Sequence, residues 1–386
     1  MTPIAAELTG FSDPRTFGDR TPPPNAAQWY ELAGASLEAE HAMHRDVAEA
    51  DLRRSLAEAL VASASSVQAA IESAPSPYIA RHLWRAVDAM WREAPDAHDV
   101  GVTPFALPVV IVAGAPASAA GASLSGMLRE PQRVVDVLRS GAALHSNQTF
   151  AVHDAMVSPS ALAIAAWPAW QPMRSAGLSL DAAARTLFAP ARIEVAPGSE
   201  AAHLRFIIGS AVAPRHIDVL ASRSVGTWGR PLAIELTRQL AEPDMSLLAL
   251  PRAPHQPFSA HLEGILAQRE VSAQLFASNA VRRLRSSTGE PTAVISSHRC
   301  AAAAGGGELR LSLSSPFETR DAEGFRCPIL AIEPVTAPLR MLLDLLQDCR
   351  ITDVRLLAGV HPDRIPGSTA PLMFKPETIP EGALLQ

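Results

Sequence analysis

The sequence predicts an α/β or α+β fold, in which an N-terminal helical hairpin precedes mixed-sheet α/β units. Three observations support this fold class. Helical periodicity dominates residues 27–98, a β-branched apolar run follows Gly101, and short apolar runs then alternate with helical stretches as far as Leu357. The order strand, helix, strand occurs near 105–152 and again near 204–250, so a duplicated unit is one alternative within the class.

The chain begins with an expected mobile arm, residues 1–26, because three successive prolines from Pro22 cannot enter a helix interior. Helical periodicity follows over 27–98, with apolar residues at spacings of three, four and seven. A long amphipathic stripe must be buried against something, which is either the rest of the chain or a partner. The candidate partner-binding residues on this stripe are Leu52, Leu56, Leu60 and Val67.

An α/β domain is expected over residues 101–250. The run Phe105-Ala-Leu-Pro-Val-Val-Ile-Val112 is typical of a strand buried on both faces. The stretch from Gly101 to Leu128 lacks charged residues and is long enough to span a bilayer, but three prolines interrupt it. We therefore expect a strand and a loop of small residues, with no membrane insertion.

Three prolines between Pro251 and Pro257 predict a boundary before a second α/β domain, residues 258–361. In this domain the strict alternation of Leu309-Arg-Leu-Ser-Leu313 predicts a strand with one apolar and one polar face. The proline-dense tail, residues 362–386, is expected to be extended.

Composition excludes several classes of function. The 386 residues include one lysine, Lys375, among 33 basic residues, which argues against phosphate-loop and Schiff-base chemistry. A net charge of −6 lacks the basic footprint of a nucleic-acid-binding protein. Three scattered cysteines and an N-terminus without a basic or apolar leader region predict a cytoplasmic protein with reduced thiols.

An anion-binding loop is the strongest chemical candidate. Residues 114–126 are rich in glycine, alanine and serine and follow the buried run, where free backbone N–H groups can cradle an anion. The guanidinium groups of arginines later in the chain can bind the same anionic ligands. The candidate anion-binding residues are Gly114, Gly121 and Ser123 in the loop and Arg282, Arg283 and Arg285 on a helix. The alternatives are a simple connection and a solvated helix face.

Metal and cofactor chemistry are not expected. Glu38-Ala-Glu-His41 matches the E-x-x-H spacing of di-iron helix bundles, but such bundles need matching ligands from other helices. Ser123 lies in a sequence that departs from G-x-S-x-G by one extra residue, which would spoil a nucleophile elbow. We therefore predict no metal site and no cofactor.

Short segments resemble a family of uncharacterised bacterial proteins over roughly residues 102–375. The segments are the run from Phe105 to Val112, Ala280-Val-Arg-Arg-Leu284 with Val294-Ile295, and Ala370-Pro-Leu-Met-Phe374. The family has cysteines before the last segment, whereas this chain has Pro366-Gly-Ser-Thr369. A metal role is therefore not carried over, and the resemblance implies no activity.

Two hypotheses of function follow. The first is a soluble, cytoplasmic protein without catalytic activity, which binds another protein or itself through the N-terminal helices. The second is an α/β enzyme acting on a small anionic substrate through the 114–126 loop and the arginines. Neither hypothesis involves nucleic acid.

Overall fold

The structure is a computed structural model, and it describes residues 11–15, 21–93, 100–118, 122–141, 149–175, 188, 190–214, 225–287, 290–300, 306–315, 322–380 and 382–385. The chain forms two compact units. The unit that we call the terminal unit comprises Met1–Leu56, Ala69–Val87 and Ala273–Gln386, and the central unit comprises Ala57–Gln68 and Asp88–Ser272. The fold class is α+β, with N-terminal helices followed by sheets, as predicted.

Three N-terminal helices replace the expected hairpin: α1 (Ala26–Glu38), α2 (Ala42–Glu72) and α3 (Pro77–Glu93). The chain turns extended at Ala39, which separates α1 from α2. Helix α2 is interrupted at Ser63, whose hydroxyl lies 2.9 Å from that of Ser66. Serine side chains compete for local hydrogen bonds and so weaken a helix interior, which accounts for a break in this serine-rich stretch.

The arm at residues 1–26 is a correction, as far as the structure describes it. Phe11 is 6% exposed and belongs to the core of the terminal unit. Arg15 is buried, pairs with Asp13 and donates a hydrogen bond to the Leu330 carbonyl at 2.9 Å. Burial of an aromatic ring and a paired guanidinium holds residues 11–15 in place. Residues 1–10 and 16–20 lie outside the described residues.

The central unit contains a four-stranded sheet in the order β3-β5-β1-β6, and each described pairing is antiparallel. Its elements, in chain order, are β1 (Val100–Gly114), β2 (Ser123–Leu124), α4 (Pro131–Ser140), β3 (Thr149–Val157), α5 (Trp167–Ser175), β4 (Ile193–Glu194), β5 (Glu200–Pro214), α6 (Val225–Leu240) and β6 (Ser246–Pro251). The connection β1-α4-β3-β5-α6-β6 is the split βαβ arrangement. One face of the sheet packs on α4 and α6.

Strand β1 tolerates two prolines although it is central in the sheet. The N–H of Ala106 points toward the β6 side, where it donates to the His255 carbonyl at 2.8 Å. Backbone nitrogens alternate in direction along a strand, so the nitrogens of Pro104 and Pro108, two residues either side of Ala106, point to the same side. Because β6 pairs only from Val109 onward, no ladder hydrogen bond is lost at either proline. Among the described residues, no helix is long and apolar enough to cross a membrane.

The terminal unit contains a five-stranded mixed sheet in the order β11-β10-β7-β8-β9. Its elements, in chain order, are α7 (Pro257–Ser287, shared with the central unit), β7 (Thr292–Arg299), β8 (Gly307–Ser314), β9 (Glu323–Pro328), α8 (Thr336–Asp348), β10 (Val354–His361) and β11 (Leu384–Leu385). Strands β7 and β10 are parallel. The strand, helix, strand order expected near 105–152 and near 204–250 occurs twice in the central unit, as β1-α4-β3 and β5-α6-β6, whereas the terminal unit's sheet has a different strand order.

Some boundaries differ from the sequence-based expectations. Helix α6 is described from Val225 and contains Pro231 in its interior, although proline is more usual at the first helical position. The division between the units lies inside α7, between Ser272 and Ala273, whereas the proline cluster at 251–257 predicts an earlier boundary. The tail, expected to be extended, adds β11 to the edge of β10.

Candidate functional site

A polar face of the terminal unit's sheet is the candidate site. Alternation along β8 sends Leu309, Leu311 and Leu313 into the apolar core, so the residues between them face the opposite side. Strands β7 and β9 flank β8 and add polar residues to that side. We call this surface the Arg310 face, defined by Ser296, His298, Glu308, Arg310, Ser312 and Arg326. It is covered by residues 362–380, which we call the C-terminal segment.

Arg310 is the centre of this face and is completely buried. Its Nε donates to Glu308 at 2.6 Å, and its Nη2 pairs with the Asp363 carboxylate. Its Nη1 donates to the backbone carbonyls of Asp363 and Leu372, the second at 3.0 Å. A buried guanidinium is stable only when its charge and its donors are satisfied. Here most of that satisfaction comes from the C-terminal segment.

Glu308 pairs with two arginines that lie directly opposite each other. Arg310 and Arg326 are register partners on β8 and β9, an arrangement that is destabilising for like charges. The Glu308 side chain is 2% exposed and accepts hydrogen bonds from both, including 2.9 Å from Arg326. The hydrogen bond to Glu308 raises the pKa of Arg326. Arg326 also donates to the Cys300 sulfur at 3.2 Å.

His298 is held in one tautomer. Its Nδ1 lies 2.8 Å from the Pro362 carbonyl, which only accepts, so Nδ1 carries the proton. Its Nε2 therefore accepts from the Ser296 hydroxyl at 2.8 Å. Burial, with the nearby charges of Arg310 and His361, lowers the pKa of His298 to about 4, against the opposing effects of the Pro362 carbonyl and Asp363. The imidazole is neutral at physiological pH.

The C-terminal segment lies on this face and folds back on itself, with an antiparallel bridge between Arg364 and Pro371. It has several attachments besides the contact of Pro362 with His298. Asp363 and Leu372 hold Arg310, the Phe374 N–H donates to Ser312 Oγ at 3.2 Å, and the Phe374 ring packs with Val294 and Leu357. Between these attachments, residues 364–370 are exposed. Partial burial raises the pKa of Asp363, but the hydrogen bond and charge of Arg310 outweigh it, so this pKa lies below its usual value.

The Arg310 face contains a buried serine–histidine pair. A serine that donates to an oriented imidazole is the arrangement of a nucleophile and its base. However, Ser296 and His298 are both completely buried, so a substrate has no access to them while the segment is docked. Among the described residues, no group of three histidine, cysteine, aspartate or glutamate side chains is placed to hold a metal ion. The E-x-x-H pattern is also broken, since Glu38 ends α1 and His41 precedes α2.

The predicted partner-binding residues lie in the interior of the protein. Leu52, Leu56, Leu60 and Val67 are all 0% exposed, so the protein itself covers the stripe. This corrects the expectation that these side chains are available to a partner. The exposed large apolar residues of α2 are Met43, Val47 and Val61.

The predicted anion-binding residues do not form an open site. Gly114 is closely packed, because an added Cβ would lie 2.8 Å from Ser246 Oγ. Ser123 pairs with Glu194 in a short ladder, and Gly121 lies outside the described residues. These residues belong to the central unit, whereas the three arginines belong to the terminal unit.

Each of those arginines has a local partner. Arg282 donates to Asn279 at 2.8 Å, Arg283 pairs with Glu323, and Arg285 donates to the Cys349 carbonyl at 3.0 Å. All three are exposed, and the partners of Arg283 and Arg285 lie on other elements of the terminal unit.

Sequence reasoning missed the Arg310 face although a signal was present. Ser296-x-His298 on one strand and Glu308-x-Arg310-x-Ser312 on the next place polar groups on one side of a sheet. Comparisons of the chain with protein-family models, with curated proteins and with solved structures give no match. The resemblance to a bacterial family stays a prediction, and any functional proposal rests on the geometry of this face.

Proposed function

We propose that this chain is a non-catalytic, cytoplasmic binding protein that recognises a peptide segment of a partner on the Arg310 face. Its own C-terminal segment occupies the same face and competes with the partner. One observation carries the proposal: the completely buried Arg310 directs three of its hydrogen bonds to Asp363 and Leu372, far away in sequence.

The attachments of the C-terminal segment support this proposal. They combine hydrogen bonds to backbone groups with a seat for one aromatic side chain, which are the two elements by which sheets recognise peptides. Residues 364–370 are exposed and Gly367 has a φ of +84°, so this part of the segment adds little to its anchoring.

The cytoplasmic part of the proposal rests on the thiols. Cys300 and Cys349 are not joined in a disulfide, and Cys300 is buried. A buried thiol outside any disulfide is typical of a reducing compartment.

A peptide-binding experiment on the full-length protein tests the proposal. A fluorescent peptide of residues 361–376 is titrated into the wild type and into Asp363→Ala. This substitution weakens the attachment of the protein's own C-terminal segment. Since apparent affinity scales with the fraction of open protein, we expect Asp363→Ala to bind the peptide about tenfold more tightly. Thr369→Ala, at an exposed position of the same segment, is the matched control and should behave as wild type.

Hydrogen exchange gives the independent readout of release. Residues 363–380 should lose protection in Asp363→Ala and keep it in Thr369→Ala. If the segment is released but neither the wild type nor the variant binds the peptide, the Arg310 face is not a recognition surface.

A further inference from the structure

We infer that the partner presents an acidic side chain, whose carboxylate takes the position of Asp363 against Arg310. This inference rests on the proposed function and adds the chemistry of the recognised segment.

The charge balance of the face supports an acidic ligand. Without the C-terminal segment, the charged groups left on the Arg310 face are Arg310, Arg326 and Glu308, which leaves one positive charge in excess. His298 does not change this balance, because it is neutral at physiological pH. An uncompensated charge is costly on a face that becomes buried, so a ligand that covers it must bring a negative charge.

The geometry of Arg310 specifies a carboxylate. Its Nε is occupied by Glu308, which belongs to the face itself. Its Nη2 lies against the carboxylates of Glu308 and Asp363, whereas its Nη1 donates to the backbone carbonyls of Asp363 and Leu372. The Asp363 carboxylate makes a charge-assisted contact that a neutral group in its place cannot make. Asp363 is therefore an internal copy of the recognised residue.

The apolar site that holds the Phe374 side chain is a second feature that determines specificity, besides Arg310. The Phe374 side chain is 9% exposed and sits against Val294 and Leu357, which are both 0% exposed. The C-terminal segment thus joins an acidic residue to an aromatic residue in one peptide. The recognised class is a peptide with an acidic residue and an aromatic anchor, since the second site is apolar.

Matched peptides separate this inference from the function on which it rests. Three versions of the 361–376 peptide are titrated into full-length Asp363→Ala protein: the natural sequence, Asp363→Asn and Phe374→Ala. The Asn peptide keeps the shape and loses the charge, so we expect at least tenfold weaker binding. The Phe374→Ala peptide should also bind more weakly, but without a change in the salt dependence of binding.

Two further measurements test whether the change in affinity comes from the charge of the peptide on the Arg310 face. Raising the salt concentration should weaken the natural peptide and leave the Asn peptide almost unchanged. The protein variant Asp363→Ala/Arg326→Met, which removes a partly exposed arginine, should weaken the natural peptide more than the Asn peptide. Equal binding of the natural and Asn peptides overturns the acidic-ligand inference and leaves the proposed function standing. Failure of all peptides to bind removes the proposed function itself.

Discussion

Replacement of Arg310 by methionine tests whether the buried ion-pair network holds the terminal unit together. The change preserves much of the side-chain volume but removes the charge. It leaves Glu308, whose side chain is 2% exposed, paired only with the partly exposed Arg326, and it leaves the carbonyls of Asp363 and Leu372 without this donor. Breaking one side of a buried pair typically costs about 3–5 kcal/mol, so we expect a loss of this size in the free energy of unfolding.

The neighbouring positions provide a graded comparison. Asp363→Asn removes the other charge, but this side chain is 40% exposed, so the expected loss is about 1 kcal/mol. The double variant Glu308→Gln/Arg310→Met removes both buried charges. We expect it to be more stable than the sum of the single changes implies, by about 1–3 kcal/mol of coupling energy.

Urea unfolding with hydrogen exchange is the appropriate assay, because exchange assigns the loss of protection to particular strands. Protection should fall in β8 and in the C-terminal segment and change little in β1. An Arg310→Met protein within 1 kcal/mol of the wild type, or single and double variants that add without coupling, would refute the network as the anchor of the segment.

Three further outcomes are expected. The pKa of His298 is about 4 in the folded state, below the ordinary 6.5, so the unfolded state binds more protons between these two pH values. The free energy of unfolding therefore falls as the pH drops from 6.5 to 4, by at most about 3 kcal/mol. Urea unfolding at pH 7 and at pH 4.5 should show a smaller pH dependence for His298→Gln than for the wild type. Gly209→Ala should destabilise the central unit by about 1–3 kcal/mol in a thermal melt, because its Cβ would lie 2.2 Å from a Phe105 ring carbon. Leu56→Asp/Leu60→Asp should abolish cooperative unfolding by circular dichroism, since both side chains are 0% exposed; a folded variant that changes only its oligomeric state in gel filtration would contradict this.

Much of the fold was predictable because its strands and helices carry strong local patterns. The apolar run from Phe105 to Val112 forms a strand that is buried on both faces, as expected. The alternation from Leu309 to Leu313 forms a strand whose apolar face packs in the core. Local patterns do not specify pairing, so the strand orders of the two sheets were beyond sequence reasoning.

The Arg310 face was missed because alternation identifies two faces of a strand but not what covers them. A polar face is normally solvated. Here residues some fifty positions later in the chain bury it, and the burial depends on single contacts such as the one between Arg310 and Asp363. A contact of that sequence separation leaves no periodic signal. The arm was misjudged for a similar reason, since one residue, Phe11, anchors it in the core.

The N-terminal stripe illustrates why apolar periodicity alone does not assign a partner. The same four residues satisfy the pattern of a binding surface and the pattern of a core, because both need a continuous apolar stripe. Their burial within the chain removes the reason for requiring a partner at that stripe. The Arg310 face has the opposite character: its polar groups cost free energy to bury and would be cheaper in water. These polar groups nevertheless lie beneath the C-terminal segment, which is understandable if a partner takes the place of the segment. The free-energy cost of burying them is the physical basis for placing recognition on the Arg310 face.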